Sequence, residues 1–202
     1  MAKLIKTLLV ANRGEIAKRI FRTCKKQGVK TIAIYSSADT NSNYVQMADI
    51  SVLLEGENPV QCHLDSSQII KIAKKFEVDA IHPGYGFLSE NASFAKKCNE
   101  EKIIFIGPDP ESIQLMGDKD KARQFIKEIG IPLLQGYENT NDKDSKLIKE
   151  AKKIGFPVLL KASAGGGGKG MRTVFKESEF LSSLKEVRSE AKNVFGDDRI
   201  II

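Results

Sequence analysis

The chain has 202 residues, 41% of them apolar and 29% charged, with a formal net charge of +6. That balance excludes a disordered chain, and the length allows one large domain or two small ones. Aromatic residues at 7%, with no Trp, exclude a basic stripe interleaved with aromatics for nucleic acid.

The first apolar run, residues 7–11, reads as a strand covered on both faces and is too short for a signal-peptide core or a membrane span. Asn12, Arg13 and Gly14 follow, then a helix with Ile16, Ile20, Phe21 and Cys24 on one face, which Gly28 ends. Residues 31–35 and 49–54 are predicted strands with a short helix around 44–48 between them. Asp65 caps a helix carrying Ile69, Ile72, Ala73 and Phe76, and residues 79–82 form a fourth strand. Pro83-Gly84-Tyr85-Gly86 breaks the chain before a helix over 89–101 with Phe94, Ala95 and Cys98 inward. A fifth strand, 102–106, stops at Gly107-Pro108. Strands alternating with helices of this length predict right-handed crossovers and a Rossmann-like, doubly wound parallel sheet. Ligands of such sheets sit beyond the carboxyl ends of the strands, where residues 12–15 and 82–90 fall.

A second unit begins near Asp109, an N-cap followed by Pro110 at the first helical position. Asp118 caps a helix that opens with Lys119 and closes at Gly130; a polar stretch over 138–146 leads into a helix ending at Ile154. Residues 158–161 and 171–175 are strands joined by a glycine loop, a hairpin and not a crossover; a helix over 178–192 and a strand from Arg199 complete the pattern. The closing Ile200-Ile201-Ile202 has no polar tail, as expected of an amino-terminal portion of something longer.

Gly165, Gly166, Gly167 and Gly168, followed by Lys169 and Gly170, are the strongest chemical signal. Four successive glycines cost backbone entropy, and packing does not ask for them. They offer a run of amide N–H groups able to close over phosphate oxygens, with charge expected at the same place from Lys169 and Arg172. A flexible linker is the alternative, weakened by the apolar strands on either side. A Walker A loop aligned on Gly168-Lys169 would need Gly at 163 and Ser or Thr at 170, where Ser163 and Gly170 stand. The crossover 11–15 carries one glycine where a dinucleotide fingerprint needs three. Lys161, after three apolar residues, either reaches to solvent or points at an anion under the loop. Lys119 at a helix start opposes the helix dipole, which an anion there would explain. Three widely spaced cysteines without a C-x-x-C pair and two distant histidines give no disulfide framework or metal site within 1–202.

Ala11-Asn12-Arg13-Gly14-Glu15-Ile16-Ala17, His82-Pro83-Gly84-Tyr85-Gly86-Phe87-Leu88-Ser89-Glu90-Asn91, Phe105-Ile106-Gly107-Pro108, Met116-Gly117-Asp118-Lys119 and the stretch from Lys161 through Arg172 together resemble biotin carboxylase. The resemblance spans nearly the whole chain. It implies a Rossmann-like domain over 1–115 and, over 116–202, the beginning of an ATP-grasp domain with a glycine-rich lid. It implies use of ATP, Mg and bicarbonate to form carboxyphosphate, then carboxylation of biotin held on a carrier. Lys119, Lys161, Gly165, Gly166, Gly167, Gly168, Lys169 and Met171 would bind ATP, and Tyr85 and Gly86 would face the biotin pocket. Arg22 falls in a region used for dimer contacts, though a plain surface charge reads equally well. The implied partners are a biotin carboxyl carrier and a carboxyltransferase component, with a homodimer at full length and neither nucleic acid nor membrane. The general base and the magnesium carboxylates would lie beyond Ile202, so the chain alone is expected to be inactive. A cytoplasmic setting is expected. A carbamoyl-phosphate synthetase-like ligase and a non-catalytic assembly module are the alternatives.

The sequence departs from the family pattern at Asn41-Ser42-Asn43-Tyr44, Leu133-Leu134-Gln135-Gly136 and Gln61-Cys62-His63-Leu64. His63 is expected to be an exposed loop residue, and His82 a structural residue before Pro83.

Overall fold

A computed structural model describes residues 4–117, 119–137, 143–163 and 170–202, with side chains described for all of these except Lys119 and Asp120. The chain divides into two compact units, Met1–Asp118 and Lys119–Ile202.

The first unit is a five-stranded sheet with helices on both faces. Its strands β1 (Thr7–Val10), β2 (Lys30–Tyr35), β3 (Ile50–Leu53), β4 (Ala80–His82) and β5 (Ile104–Phe105) lie in the order β3-β2-β1-β4-β5. Every neighbouring pair is parallel. Side chains alternate across a strand, so the continuous apolar run of β1 feeds two cores. Leu8 and Val10 pack with α1 (Gly14–Lys26) and α2 (Asn43–Met47), whereas Leu9 and Ala11 pack against α4 (Ser66–Lys75) and α5 (Ala92–Glu100). The chain winds outward from β1 to β3, returns to β4, and winds out again to β5. The reversal lies between β1 and β4, and their carboxyl ends open side by side there.

Helix ends follow local chemistry. Asp65 Oδ1 accepts from the amides of Ser67 and Gln68 at 3.0 and 2.9 Å, and Asp109 Oδ1 accepts from Ser112 at 2.7 Å at the head of α6 (Pro110–Gly117). Gly28 ends α1 in the left-handed region at φ +69, with the Gly28 amide bonded to Lys25 and the Val29 amide to Cys24. The helix expected over 89–101 starts later, at Ala92, because the Asn91 side chain accepts from the Phe94 amide and caps it.

One helix lacks a sequence expectation altogether. Asn58 caps α3 (Pro59–Leu64) by accepting from the amides of Val60 and Gln61. His63 therefore corrects the expectation of an exposed loop residue: it is fully buried in α3, its ring stacked on Phe87 with centroids 5.1 Å apart.

The second unit holds α7 (Lys119–Glu128), α8 (Asp144–Ile154), α9 (Phe180–Phe195) and an antiparallel sheet ordered β7-β6-β8. Its strands are β6 (Val158–Ala162), β7 (Met171–Val174) and β8 (Ile200–Ile201). Phe180, Leu184, Val187 and Ala191 form the buried stripe of α9, at the spacing of an amphipathic helix, over Val158, Leu160 and Val174. Each large side chain so buried stabilises by roughly 1.5–3 kcal/mol. The apolar 200–202 run is not a bare edge: β6 pairs with one side, and Ile202 and Tyr137 exchange two backbone bonds of 2.9 Å on the other.

Candidate functional site

At the switch point of the first unit, the loop over 83–91 is held by Asn12, two residues past the end of β1 and 3% exposed. Asn12 Nδ2 donates to the carbonyls of Pro83 and Tyr85, both at 2.8 Å, and its Oδ1 accepts from the Arg13 amide at 2.9 Å. His82 Nδ1 accepts from the Gly84 amide at 3.0 Å, bearing out its structural role before Pro83. The loop is thereby fixed in backbone while Tyr85 stands 67% exposed. Gly86 sits at φ +67, and a Cβ on it would meet nothing within 4 Å, so bare backbone faces open space.

Behind this loop lies a charged network that the sequence did not announce. The Arg13 guanidinium grips Asp39 with both ends, Nε to Oδ2 at 2.6 Å and Nη2 to Oδ1. The Tyr44 hydroxyl lies 3.1 Å from Asp39 Oδ2 and 3.3 Å from the Ile34 carbonyl. The hydrogen bonds from Arg13 hold the buried Asp39 carboxyl below its ordinary range. Burial is the main cause that raises the Tyr44 hydroxyl and lowers the imidazoles of His63 and His82. His63 Nδ1 meets the Pro59 carbonyl at 2.8 Å, which requires the proton on Nδ1, and among the described residues the buried Nε2 has no partner at hydrogen-bond distance. An i, i+26 pair such as Arg13 and Asp39 has no local signal, whereas Asn58-Pro59 is a legible start for the helix that buries His63.

In the second unit, β6 and β7 form the expected hairpin. Their register sets Lys161 opposite Met171 and Leu160 opposite Arg172. Lys161 and Met171 are both exposed, side by side at the mouth of the glycine loop, and Lys161 has no ion pair or hydrogen bond from its ammonium among the described residues. Alternation sends Arg172 to the other face, toward α9, where it pairs with Glu186. That corrects the expectation that Arg172 joins Lys169 in supplying charge at the glycine loop.

The loop is anchored at both ends: Ala162 N–H donates to the Gly170 carbonyl at 2.8 Å, and Ser163 N–H to the Arg199 carbonyl at 2.8 Å. Gly170 N–H donates to Glu190 Oε1 at 3.1 Å. Gly170 takes φ +64, and a Cβ there would lie 2.9 Å from that of Ala162, so both conformation and space require glycine. Gly165, Gly166, Gly167, Gly168 and Lys169 lie outside the described residues, as do Asp118 and the Lys119 side chain; the Lys119 backbone opens α7. Arg22 is exposed on α1.

Among the described residues no three His, Cys, Asp or Glu side chains cluster so as to hold a metal ion, and no helix is long and apolar enough to cross a membrane.

Residues 4–113 match the family model described as biotin carboxylase, N-terminal domain, and residues 118–202 the model described as carbamoyl-phosphate synthase L chain, ATP binding domain. The chain is 48% identical, over 98% of its length, to the methylcrotonoyl-CoA carboxylase subunit alpha of Mus musculus, covering 28% of that protein. It is 43% identical to biotin carboxylase 1 of Bacillus subtilis, over 98% of this chain and 44% of that one. The chain thus spans less than half the length of these relatives. The structure of a Campylobacter jejuni biotin carboxylase complex with β-γ-ATP superposes with a TM-score of 0.90 at 43% identity, covering 98% of this chain and 44% of that one. The Hydrogenobacter thermophilus 2-oxoglutarate carboxylase biotin carboxylase domain, a dimer in complex with MgADP, ADP and bicarbonate, gives 0.89 at 42% identity, covering 99% and 44%. With residues 4–113, more than half of the chain, matched by one model and 98% of the chain matched by a solved biotin carboxylase, the chain belongs to the biotin carboxylase family.

Proposed function

We propose that the chain serves the ATP- and bicarbonate-dependent carboxylation of biotin presented on a carrier. The observation that carries this reading is the match, over 98% of the chain in both sequence and fold, to a biotin carboxylase solved with β-γ-ATP. In the proposed reaction a bicarbonate oxygen displaces ADP from the γ-phosphorus, and the carboxyl group then passes to biotin N1′ as that nitrogen gives up its proton to the departing phosphate.

Within that reading, Lys161 supplies a cation to the triphosphate, and its exposed ammonium at the hairpin mouth, unpaired among the described residues, suits it to that task. Met171, directly across the hairpin, gives the nucleotide an apolar contact beside that charge. Lys119, the four glycines from Gly165 and Lys169 are proposed to complete the phosphate site on the strength of their motifs. No described residue is assigned to magnesium. Tyr85 and Gly86, held on the loop after β4, are proposed to face biotin. A carrier and a carboxyltransferase as partners, a dimer at full length and a cytoplasmic setting belong to the same proposal.

A second reading, a carbamoyl-phosphate synthetase-like ligase, draws on the model matched over 118–202; the match over 4–113 favours the biotin enzyme. The test is ADP release by the full-length protein supplied with ATP, magnesium and bicarbonate. Release should rise on adding biotin. Release indifferent to biotin but raised by ammonia supports the second reading.

A further inference from the structure

We propose that Asn12 is the positioning residue for the turn that carries Tyr85 and Gly86, acting through its carboxamide on the backbone of that turn. The inference rests on the reading above that Tyr85 and Gly86 face biotin. Asn12 is nearly inaccessible, so its contacts with a substrate would be indirect; its three hydrogen bonds are all internal. Both amide protons converge on one four-residue turn, at Pro83 and Tyr85, spanning Gly84 between them. Gly84, at φ +68, is fitted to the same side chain: a Cβ there would come within 2.5 Å of Asn12 Nδ2. The other supports of the loop are His82 Nδ1 accepting from the Gly84 amide, the Ser89 amide donating to the Gly86 carbonyl at 2.9 Å, and the His63 ring on Phe87; Asn12 alone among these side chains reaches the Pro83 and Tyr85 carbonyls.

The side chain therefore sets the height and tilt at which the exposed Tyr85 ring and the bare Gly86 backbone are presented. A carboxamide suits the task because two carbonyls need two protons from one centre, while the Oδ1 must accept from the next amide in the chain. Ser offers one proton, Asp offers none, and Leu offers neither donor nor acceptor. Two carbonyls left without their donor would turn to find other partners and carry Tyr85 and Gly86 with them.

The experiment measures steady-state constants for biotin and for ATP separately, on the full-length protein and its N12D, N12S and Y85A variants. N12D keeps the size of the side chain and sets a carboxylate against two carbonyls. A raised KM for biotin of about tenfold is expected, with the KM for ATP and kcat held within about threefold. N12S, with one donor left, should fall between N12D and the native protein, and it decides the matter by the same criteria if N12D does not fold. Biotin and ATP constants that rise together, or a biotin KM unmoved in a folded N12 variant, overturn the proposal. Y85A separates this failure from that of the underlying reading. A raised biotin KM in Y85A with none in the Asn12 variants removes the positioning role alone, whereas an unmoved Y85A removes the biotin-facing turn itself.

Discussion

Asp39 and Arg13 lie twenty-six residues apart in sequence, yet they form a two-ended ion pair at the carboxyl ends of β1 and β2, with the carboxylate buried and the guanidinium partly in solvent. The pair ties the turn after β2 to the segment that carries Asn12. Among the described residues, removing Arg13 would leave the Asp39 carboxylate with side-chain hydrogen bonds from the Tyr44 and Ser42 hydroxyls alone. R13A should therefore destabilise the first unit by about 2 kcal/mol, less than a fully buried pair because the guanidinium is partly exposed. Urea unfolding followed by circular dichroism measures this; an unchanged midpoint would contradict it.

Acid should act in two stages. His63 and His82 have imidazoles depressed by burial, so the unfolded chain binds their protons more readily than the folded one. Their contribution is complete above the ordinary histidine value of about 6.5 and declines as pH falls below it. Asp39 has a depressed carboxyl, whose contribution is complete above about pH 4 and is lost as pH falls through its folded value. Unfolding free energy measured between pH 7 and 5 should fall less in H63Q than in the native chain, and R13A should move the acid transition upward.

Two helices end on the wrong residue type for their conformation. Glu77 and Lys102 occupy the left-handed region at φ 50 and 59, with the amide bonds that close α4 and α5 made as Gly28 makes them for α1. E77G and K102G should each stabilise by roughly 0.5–1 kcal/mol, since glycine relieves the strain and its greater unfolded entropy offsets only part of the gain. Thermal unfolding should show a rise for each variant.

Gly84 should not tolerate the reverse change. A methyl group there would strike Asn12 at 2.5 Å in a backbone conformation that L residues avoid, so G84A should cost roughly 2–4 kcal/mol. Gly14, at φ +59 with nothing within 4 Å, carries the conformational penalty alone and should lose about 1 kcal/mol as G14A. The difference between the two midpoints isolates the contact with Asn12.

The hairpin register sets Lys161 and Arg172 on opposite faces. Arg172 pairs with Glu186 across a half-exposed surface, so R172A should lower stability by no more than about 1 kcal/mol. Nucleotide affinity in R172A should stay near that of the native protein, read by calorimetric titration.

Much of this was legible beforehand because the determinants are local. The unbroken apolar run of β1, the stripe on α1, the caps Asp65 and Asp109 and the glycine stop at 28 each speak within a few residues, and together they imply the parallel sheet. Asn12 and residues 82–90 were placed at the strand ends for the same reason. Three features were not legible as read. His63 looked polar and therefore exposed, until the Asn58-Pro59 start turned it inward against Phe87. Arg172 reads as charge for the glycine loop beside Lys169, but in a strand the alternation of faces decides and turns it to Glu186. The Arg13–Asp39 pair depends on the parallel register of β1 and β2, which no short stretch encodes.

Titration of ATP against the full-length protein and its K161A variant tests the proposed function at its phosphate-binding centre. Loss of one charge-assisted contact should weaken binding by roughly 1.5–3 kcal/mol, about tenfold to a hundredfold in affinity. Equal affinities in the two proteins would contradict a nucleotide site at the mouth of the β6–β7 hairpin.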